Sequence, residues 1–221
     1  MPALIDIVNS ALATLGEQPL VDLSTNNATS IAVMVNSKLK IAKQAILMES
    51  DWNCARITTK LTPLATSPLN GYAYTYPLPT EPKCLKIVQI SVDGGETFFD
   101  LDAYYNGNSG PLSSRFDVDE NALLSDSDSV YIKYTADVDP AKFDASLTEA
   151  FAAYLASELA FAVTNSSSLA DSLRVIANRK LNKAKSRNAM NRNVYQPDGD
   201  ATRIRGGSYN SIRVDMSDEA E

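Results

Sequence analysis

Asp117, Asp119 and Asn121 stand at positions 1, 3 and 5 of an EF-hand-like loop, with Asp128 at position 12, so the first chemistry to test is calcium ligation by clustered oxygen donors. The match stops there. Ala122 occupies the place where the sharp turn requires glycine, position 12 is not the bidentate Glu, and the flanks read as strands rather than helices. These acids are expected on solvated hairpin turns, without a metal. Catalytic constellations fare no better. The chain contains no histidine, which removes the usual general base, the Ser-His-Asp triad and the commonest metal ligand. It has no Walker loop, no G-x-G-x-x-G and no G-x-S-x-G, and Gly107-Asn108-Ser109-Gly110 reads as a flexible loop. Paired carboxylates abound, but a sequence does not place two of them across a cleft. Cys54 and Cys84 lie 30 positions apart without a C-x-x-C partner. They read as buried free thiols, ahead of a regulatory disulfide. The expectation is a non-enzymatic protein with no catalytic residue and no cofactor.

Charge is more informative. The net charge is −7, yet between Arg174 and Arg213 ten cations face only two acids, Asp198 and Asp200. Arg174, Arg179, Lys180, Lys183, Lys185 and Arg187 form a candidate electrostatic face on one helix, and such a cluster could contact phosphate. No aromatic residue interrupts residues 174 to 192, so a stacking platform for bases is not supported. A solvated or protein-facing surface is therefore favoured over a DNA-facing one. Arg205-Gly206-Gly207 occurs once and says little about RNA. The single tryptophan, Trp52, is read as a core anchor, with a subunit contact as the sharper alternative, because tryptophan is enriched at interface hot spots.

The elements that carry these residues follow from periodicity. Leu4, Ile5, Val8, Ala11, Leu12 and Leu15 fall at helical spacing, and Gly16 supplies a left-handed cap. A second helix runs from Ile31 through Val35, Leu39, Ala42 and Ile46 to about Ser50; Met34, Ile41 and Met48 widen its stripe, so it is expected to touch neighbours on more than one side. The periodicity then fades from Asp51 to Pro68. Alternating Tyr72, Tyr74 and Tyr76, the run Leu85, Val88, Ile90 and Val92, the Asp93-Gly94-Gly95 turn into Thr97-Phe98-Phe99, short strands near Phe116 and Leu123, and Val130 to Tyr134 predict antiparallel strands. Asp139-Pro140 reads as the start of an alanine-rich third helix, the most buried one. Ser168 and Asp171 form a capping-box-like start for a fourth, with Leu169, Leu173, Ile176 and Leu181 inward, ending near Met190.

Beyond Asn191 the apolar residues are scattered singly, too few to offset the chain's own conformational entropy, so this tail is expected to order only on a partner. Tyr195, Arg203, Ile204, Arg205, Tyr209, Ile212 and Arg213 are its candidate docking residues. The expected fold is α+β. A four-helix bundle is formed by the N- and C-terminal segments, residues 1–66 and 138–190; residues 67–137 insert a small antiparallel β-module; and residues 191–221 form an extended C-terminal docking tail. No apolar run approaches a membrane span, and the N-terminus lacks the basic n-region of a secretory signal, so assembly in the cytosol is expected.

Several strings resemble tail tubular protein A, the head-to-tail adaptor family of podoviruses. Ile7-Val8-Asn9-Ser10-Ala11-Leu12-Ala13-Thr14-Leu15-Gly16-Glu17-Gln18-Pro19 is similar to the family's opening helix and Leu-Gly-Glu-x-Pro turn, and Ser50-Asp51-Trp52-Asn53 to its tryptophan-bearing helix end. Tyr76-Pro77-Leu78-Pro79, Cys84-Leu85-Lys86 and Asp139-Pro140 also recur in phage connectors. The likeness spans roughly residues 3 to 60 and 72 to 190 and consists of packing and turn motifs, with residues 96 to 128 and the tail unmatched. It implies a dodecameric homo-oligomeric ring below the portal protein, next to the tail nozzle protein, with tail fibres as a further candidate neighbour. The implied location is the virion neck and tail, where double-stranded DNA passes through transiently. An acidic bore would let DNA slide. The rival reading is a soluble DNA-binding accessory protein that uses the basic C-terminal helix and tail; a carboxylate enzyme is a weaker third.

Overall fold

The computed structural model describes residues 3–23, 30–65, 71–101, 116–119 and 121–191. Apolar spacing produces the first helix, α1 (Leu4–Leu15), which buries Ile7, Val8, Ala11 and Leu12. Its start is tied by Asp6 Oδ2, which accepts the Ala3 backbone N–H at 2.9 Å. Its end is set by Gly16 at φ 78°, a left-handed conformation that costs glycine little, with Glu17 N–H closing on the Leu12 carbonyl at 3.0 Å. The following turn is held by a side chain: Asn9 donates to the Leu20 carbonyl at 2.9 Å and accepts the Leu20 N–H at 2.8 Å. Helix α2 (Ser30–Met48) buries Val35, Ala42, Ile46 and Leu47.

Where helical periodicity fades, the chain is a strand. β1 (Arg56–Lys60) is followed by β2 (Tyr74–Pro77), β3 (Cys84–Ser91), β4 (Phe99–Asp100), β5 (Phe116–Asp119), β6 (Ala122–Ser125) and β7 (Tyr131–Ala136). The β3–β4 turn needs Gly94 and Gly95, at φ 81° and 96°. Asp93 organises it by accepting the Ser91 hydroxyl and the N–H groups of Glu96 and Thr97, and these bonds, the Ser91 hydroxyl first, hold its carboxyl down to about 2.

The sequence places a helix start at Asp139-Pro140, but the chain there makes only a single 3-10 turn, Pro140–Lys142, with Asp139 Oδ1 accepting the Ala141 N–H at 2.7 Å. Phe143 then becomes extended, enters the core and packs edge-on against Phe151 at 5.9 Å. The helix restarts one residue later: Asp144 caps α3 (Ala145–Thr164), accepting the Leu147 N–H at 2.8 Å. α3 buries nine side chains, five of them alanines, and α1, α2 and the last helix all pack on it. Asn165, left-handed at φ 52°, ends α3, and Ser166 caps α4 (Ser167–Met190) by accepting the Leu169 N–H at 3.2 Å. The Ser168 and Asp171 pair expected to cap this helix lies inside its first turns. Ile176, expected inward, is also outside. Leu173, Ala177, Leu181 and Ala184 form the buried stripe, because alanines let α4 approach the alanine-rich α3 closely.

The α+β class fits, but the four-helix bundle with a small β-module is corrected. The strands make two antiparallel sheets, one of four in the order β1-β7-β3-β4 and one of three in the order β2-β6-β5. A self-contained bundle buries helix stripes only against other helices. Here one core joins Ile7, Leu12 and Ile46 of the helices to Ile90, Ile132 and Tyr134 of the sheet and to Phe151 of α3. β1 is the reason, because its pairing with β7 from Arg56↔Thr135 to Lys60↔Tyr131 turns the chain leaving α2 directly into the larger sheet.

A polar link ties α2 to that sheet's last strand. Lys43 Nζ lies 2.6 Å from Asp137 Oδ1, and Gln44 donates to Oδ2 at 2.9 Å. Burial raises the Asp137 pKa, but the bonds from Lys43 and Gln44 and the charges of Lys43 and Lys40 outweigh it, leaving the carboxyl below its ordinary value. A depressed folded-state pKa contributes stability that is present above the unfolded value of 3.8 and is lost as pH falls through the folded one. Asp137→Asn is therefore expected to cost about 1–2 kcal/mol at neutral pH, with the melting-temperature gap from wild type closing below the ordinary carboxylate range. Differential scanning fluorimetry across that range checks it; a gap independent of pH contradicts the assignment.

Candidate interaction sites

The end of α2, the start of β1 and the last turn of α4 meet at one junction. Trp52 is 1% exposed, and its Nε1–H donates to the Ile46 carbonyl at 2.9 Å, satisfying one of the acceptors that a helix C-terminus leaves open. The single tryptophan is thus a core residue of this chain. Asn188, 5% exposed, stands opposite. Its Oδ1 accepts the Asn53 N–H at 2.9 Å, its Nδ2 donates to the Asp51 carbonyl at 2.8 Å, and its own carbonyl accepts from Asn53 Nδ2 at 3.1 Å. Sequence reasoning missed Asn188, although a signal existed: it continues the buried series Leu173, Ala177, Leu181 and Ala184 at a place where the stripe calls for an apolar residue.

The cationic face of α4 is divided. Arg174 lies 3.5 Å from Glu158, Lys180 3.1 Å from Glu149, and Lys185 3.0 Å from Glu49, while Arg187 donates to the Ser146 hydroxyl at 2.7 Å. Lys180, ahead of Lys183 and Arg187, holds the Glu149 carboxyl below its ordinary value. Arg179 and Lys183 are exposed and make no ion pair among the described residues. Four of the six candidate cations therefore face α3 or α2 of their own chain. The candidate docking residues Tyr195, Arg203, Ile204, Arg205, Tyr209, Ile212 and Arg213 lie outside the described residues.

Two of the concavities among the described residues bear on chemistry. One, about 440 Å³, lies beside β3 and is lined by Leu78, Cys84, Ile87, Leu101 and Val118. Burial pushes the Cys84 thiol up to about 11, and burial followed by the charge of Asp144 raises that of Cys54, so neither is a ready thiolate at neutral pH. The other, about 410 Å³, lies between α1 and α3 among Asp6, Ile7, Ser10, Thr148, Glu149 and Ala152. Its two carboxylates are already engaged, by the Ala3 N–H and by Lys180. The EF-hand-like acids are drawn out along a hairpin: Asp117 and Asp119 on β5, whose Asp119 pairs with Ala122 of β6, and Asp128 just before β7. A hairpin separates these oxygens instead of wrapping them around an ion. Among the described residues no helix is long and apolar enough to cross a membrane.

In comparisons with known proteins, no family model matches the chain and no curated protein matches it.

Removing the Asn188 amide leaves the Asn53 N–H and the Asp51 carbonyl without that partner, so Asn188→Ala is expected to destabilise by about 2–3 kcal/mol and Trp52→Phe, which loses only the indole donor and some volume, by about 1–2 kcal/mol. Urea unfolding at constant slope measures both; a loss under about 0.5 kcal/mol for Asn188→Ala removes the junction's importance.

Proposed function

We propose that this chain is a structural subunit of the head-to-tail adaptor ring of a short-tailed bacteriophage, joining the portal to the tail nozzle and contributing to the channel through which double-stranded DNA leaves. The reading rests on the resemblance of its opening helix, turn and tryptophan-bearing junction to that family. The observation that carries it beyond resemblance is the disposition of α4 and α2. Arg174, Lys180 and Lys185 are paired with carboxylates of their own chain, whereas Met34, Ile41, Met48, Val175 and Ile176 are exposed. Cations already paired are weak phosphate ligands, and exposed apolar side chains favour protein neighbours. By the resemblance the ring has twelve copies. The protein makes and breaks no bond; its work is adhesion to copies of itself and to the components above and below.

The tail is the proposed portal-docking segment. A chain ending at Asn191 should melt as the full chain does yet fail to co-sediment with cognate portal rings, and equal binding by both forms would defeat the docking role. Exposed Arg179 and Lys183 are what favours the rival reading, a soluble DNA-binding accessory protein. Duplex affinity of the purified chain across a salt series separates the two. A channel subunit is expected to bind DNA weakly throughout, whereas micromolar or tighter binding at low salt, lost steeply as salt rises, supports the rival.

A further inference from the structure

β1 is paired on one side only. It is an outer strand of the four-stranded sheet, and among the described residues Arg56 to Lys60 make backbone hydrogen bonds to no element other than β7. The register shows which groups are left over. Ala136 N–H bonds the Ala55 carbonyl at 2.8 Å, Leu61 N–H bonds the Val130 carbonyl at 2.9 Å, and both pairs continue the β1–β7 register, so the odd-numbered residues of β1 turn their backbone groups toward β7. Arg56, Thr58 and Lys60 turn theirs outward. Among the described residues only the Lys60 carbonyl of these meets a partner, the Thr59 hydroxyl at 3.3 Å. The side chains of the same three residues are exposed on one face of the strand, whereas Ile57 and Thr59 are half-buried on the other. That outer face is cationic. Lys60 rests over the Tyr131 ring at 5.6 Å and makes no ion pair among the described residues, and Arg56 reaches Asp51 only at 3.4 Å. Lys133, opposite Thr58, has its pKa lowered by burial and then by the charge of Arg56.

An edge with outward N–H and C=O groups is a template for one more strand. Two occupants fit it poorly. A second β1 laid antiparallel about Thr58 would set Arg56 against Lys60, and a DNA phosphate backbone, which is all acceptor, would leave the outward carbonyls unpaired. The sequence holds a better complement. Asp215, Ser217 and Glu219 repeat the spacing of Arg56, Thr58 and Lys60 with opposite charge, and because the pattern is symmetric the charges match in either strand direction. Met216 and Asp218 then fall on the face of Ile57 and Thr59. These residues follow the portal-docking set, which ends at Arg213, so the two contacts do not compete for side chains. We propose that Asp215 to Glu219 of a second copy of this chain add to β1 as a fifth strand of the larger sheet. The donated strand differs from the edge that receives it, so the contact is heterologous: it repeats head to tail and closes into a ring when the rotation permits. The inference deepens the ring-subunit reading and rests on it, since that reading is what assigns the segment to a second copy.

The test is charge reversal, rescue and truncation, read by sedimentation velocity with and without cognate portal. Arg56→Glu with Lys60→Glu, and separately Asp215→Lys with Glu219→Lys, should each weaken copy-to-copy association by at least about tenfold, and the combined set should restore it to within about threefold of wild type. Thr58→Pro removes an outward N–H while sparing the β7 ladder, and should weaken association as strongly. Lys60→Gln with Glu219→Gln gives an intermediate loss should a reversal or the proline disturb folding. A chain ending at Val214 should melt as the full chain does and lose the same association. Amide exchange at Arg56, Thr58 and Lys60 should be fast in the monomer and slow in the assembly. Association unchanged by the truncation, or lost in both reversals without rescue, overturns this interface; when those variants still form rings on portal, the ring reading survives alone. Slow exchange already in the monomer, lost on truncation, gives the strand to its own chain, and slow exchange that needs portal but not residues 215 to 221 gives the edge to portal; either overturns the proposal. A wild-type chain that stays monomeric on portal overturns both readings.

Discussion

Asn188 and Trp52 meet where three elements widely separated in the chain must coincide: the C-terminus of α2, the start of β1 and the last turn of α4. Closing a loop of well over a hundred residues has an entropic cost, and a buried amide that finds every partner offsets it only in one geometry. Asn188 is bonded to both Asp51 and Asn53, so the peptide on each side of Trp52 is fixed. From that junction the Ala55 carbonyl accepts the Ala136 N–H at 2.8 Å, which starts the β1–β7 pairing. The larger sheet is thus registered against the helices by a polar contact, while burial supplies the driving force.

The helices were legible because their signals are local. The apolar spacing from Leu4 to Leu15 and Gly16 after it describe α1 as it stands, and the asparagines and serines around Asn165 mark the α3–α4 turn. What could not be read is what depends on residues distant in the chain. Asp139-Pro140 carries a valid start signal, but whether a helix propagates from it was decided by Phe143 leaving for the core beside Phe151. Arg56 to Lys60 has little apolar alternation and becomes a strand because β7 offers an edge to pair with. The sheets were underestimated for the same reason: strand patterns were visible singly, but their sharing of one core with the helices was not.

The candidate site was legible in composition and illegible in pairing. Counting cations on residues 174 to 187 finds a basic helix; it does not reveal that Glu158, Glu149 and Glu49 stand within 3.0 to 3.5 Å of three of them. Such exposed pairs contribute little stability each, on the order of 0–1 kcal/mol, and act more by aligning α4 against α3 and α2. Their effect on recognition is larger, since a lysine facing its own carboxylate presents a weaker field to a distant phosphate.

With those cations engaged, the unbalanced charges are redistributed. Lys38 and Lys40 on α2 and Asp117 and Asp119 on β5 are exposed and make no ion pair among the described residues. The concavity beside β3 holds the raised thiol of Cys84, and the one between α1 and α3 holds two carboxylates already engaged, so the exposed apolar side chains of α2 lie apart from both.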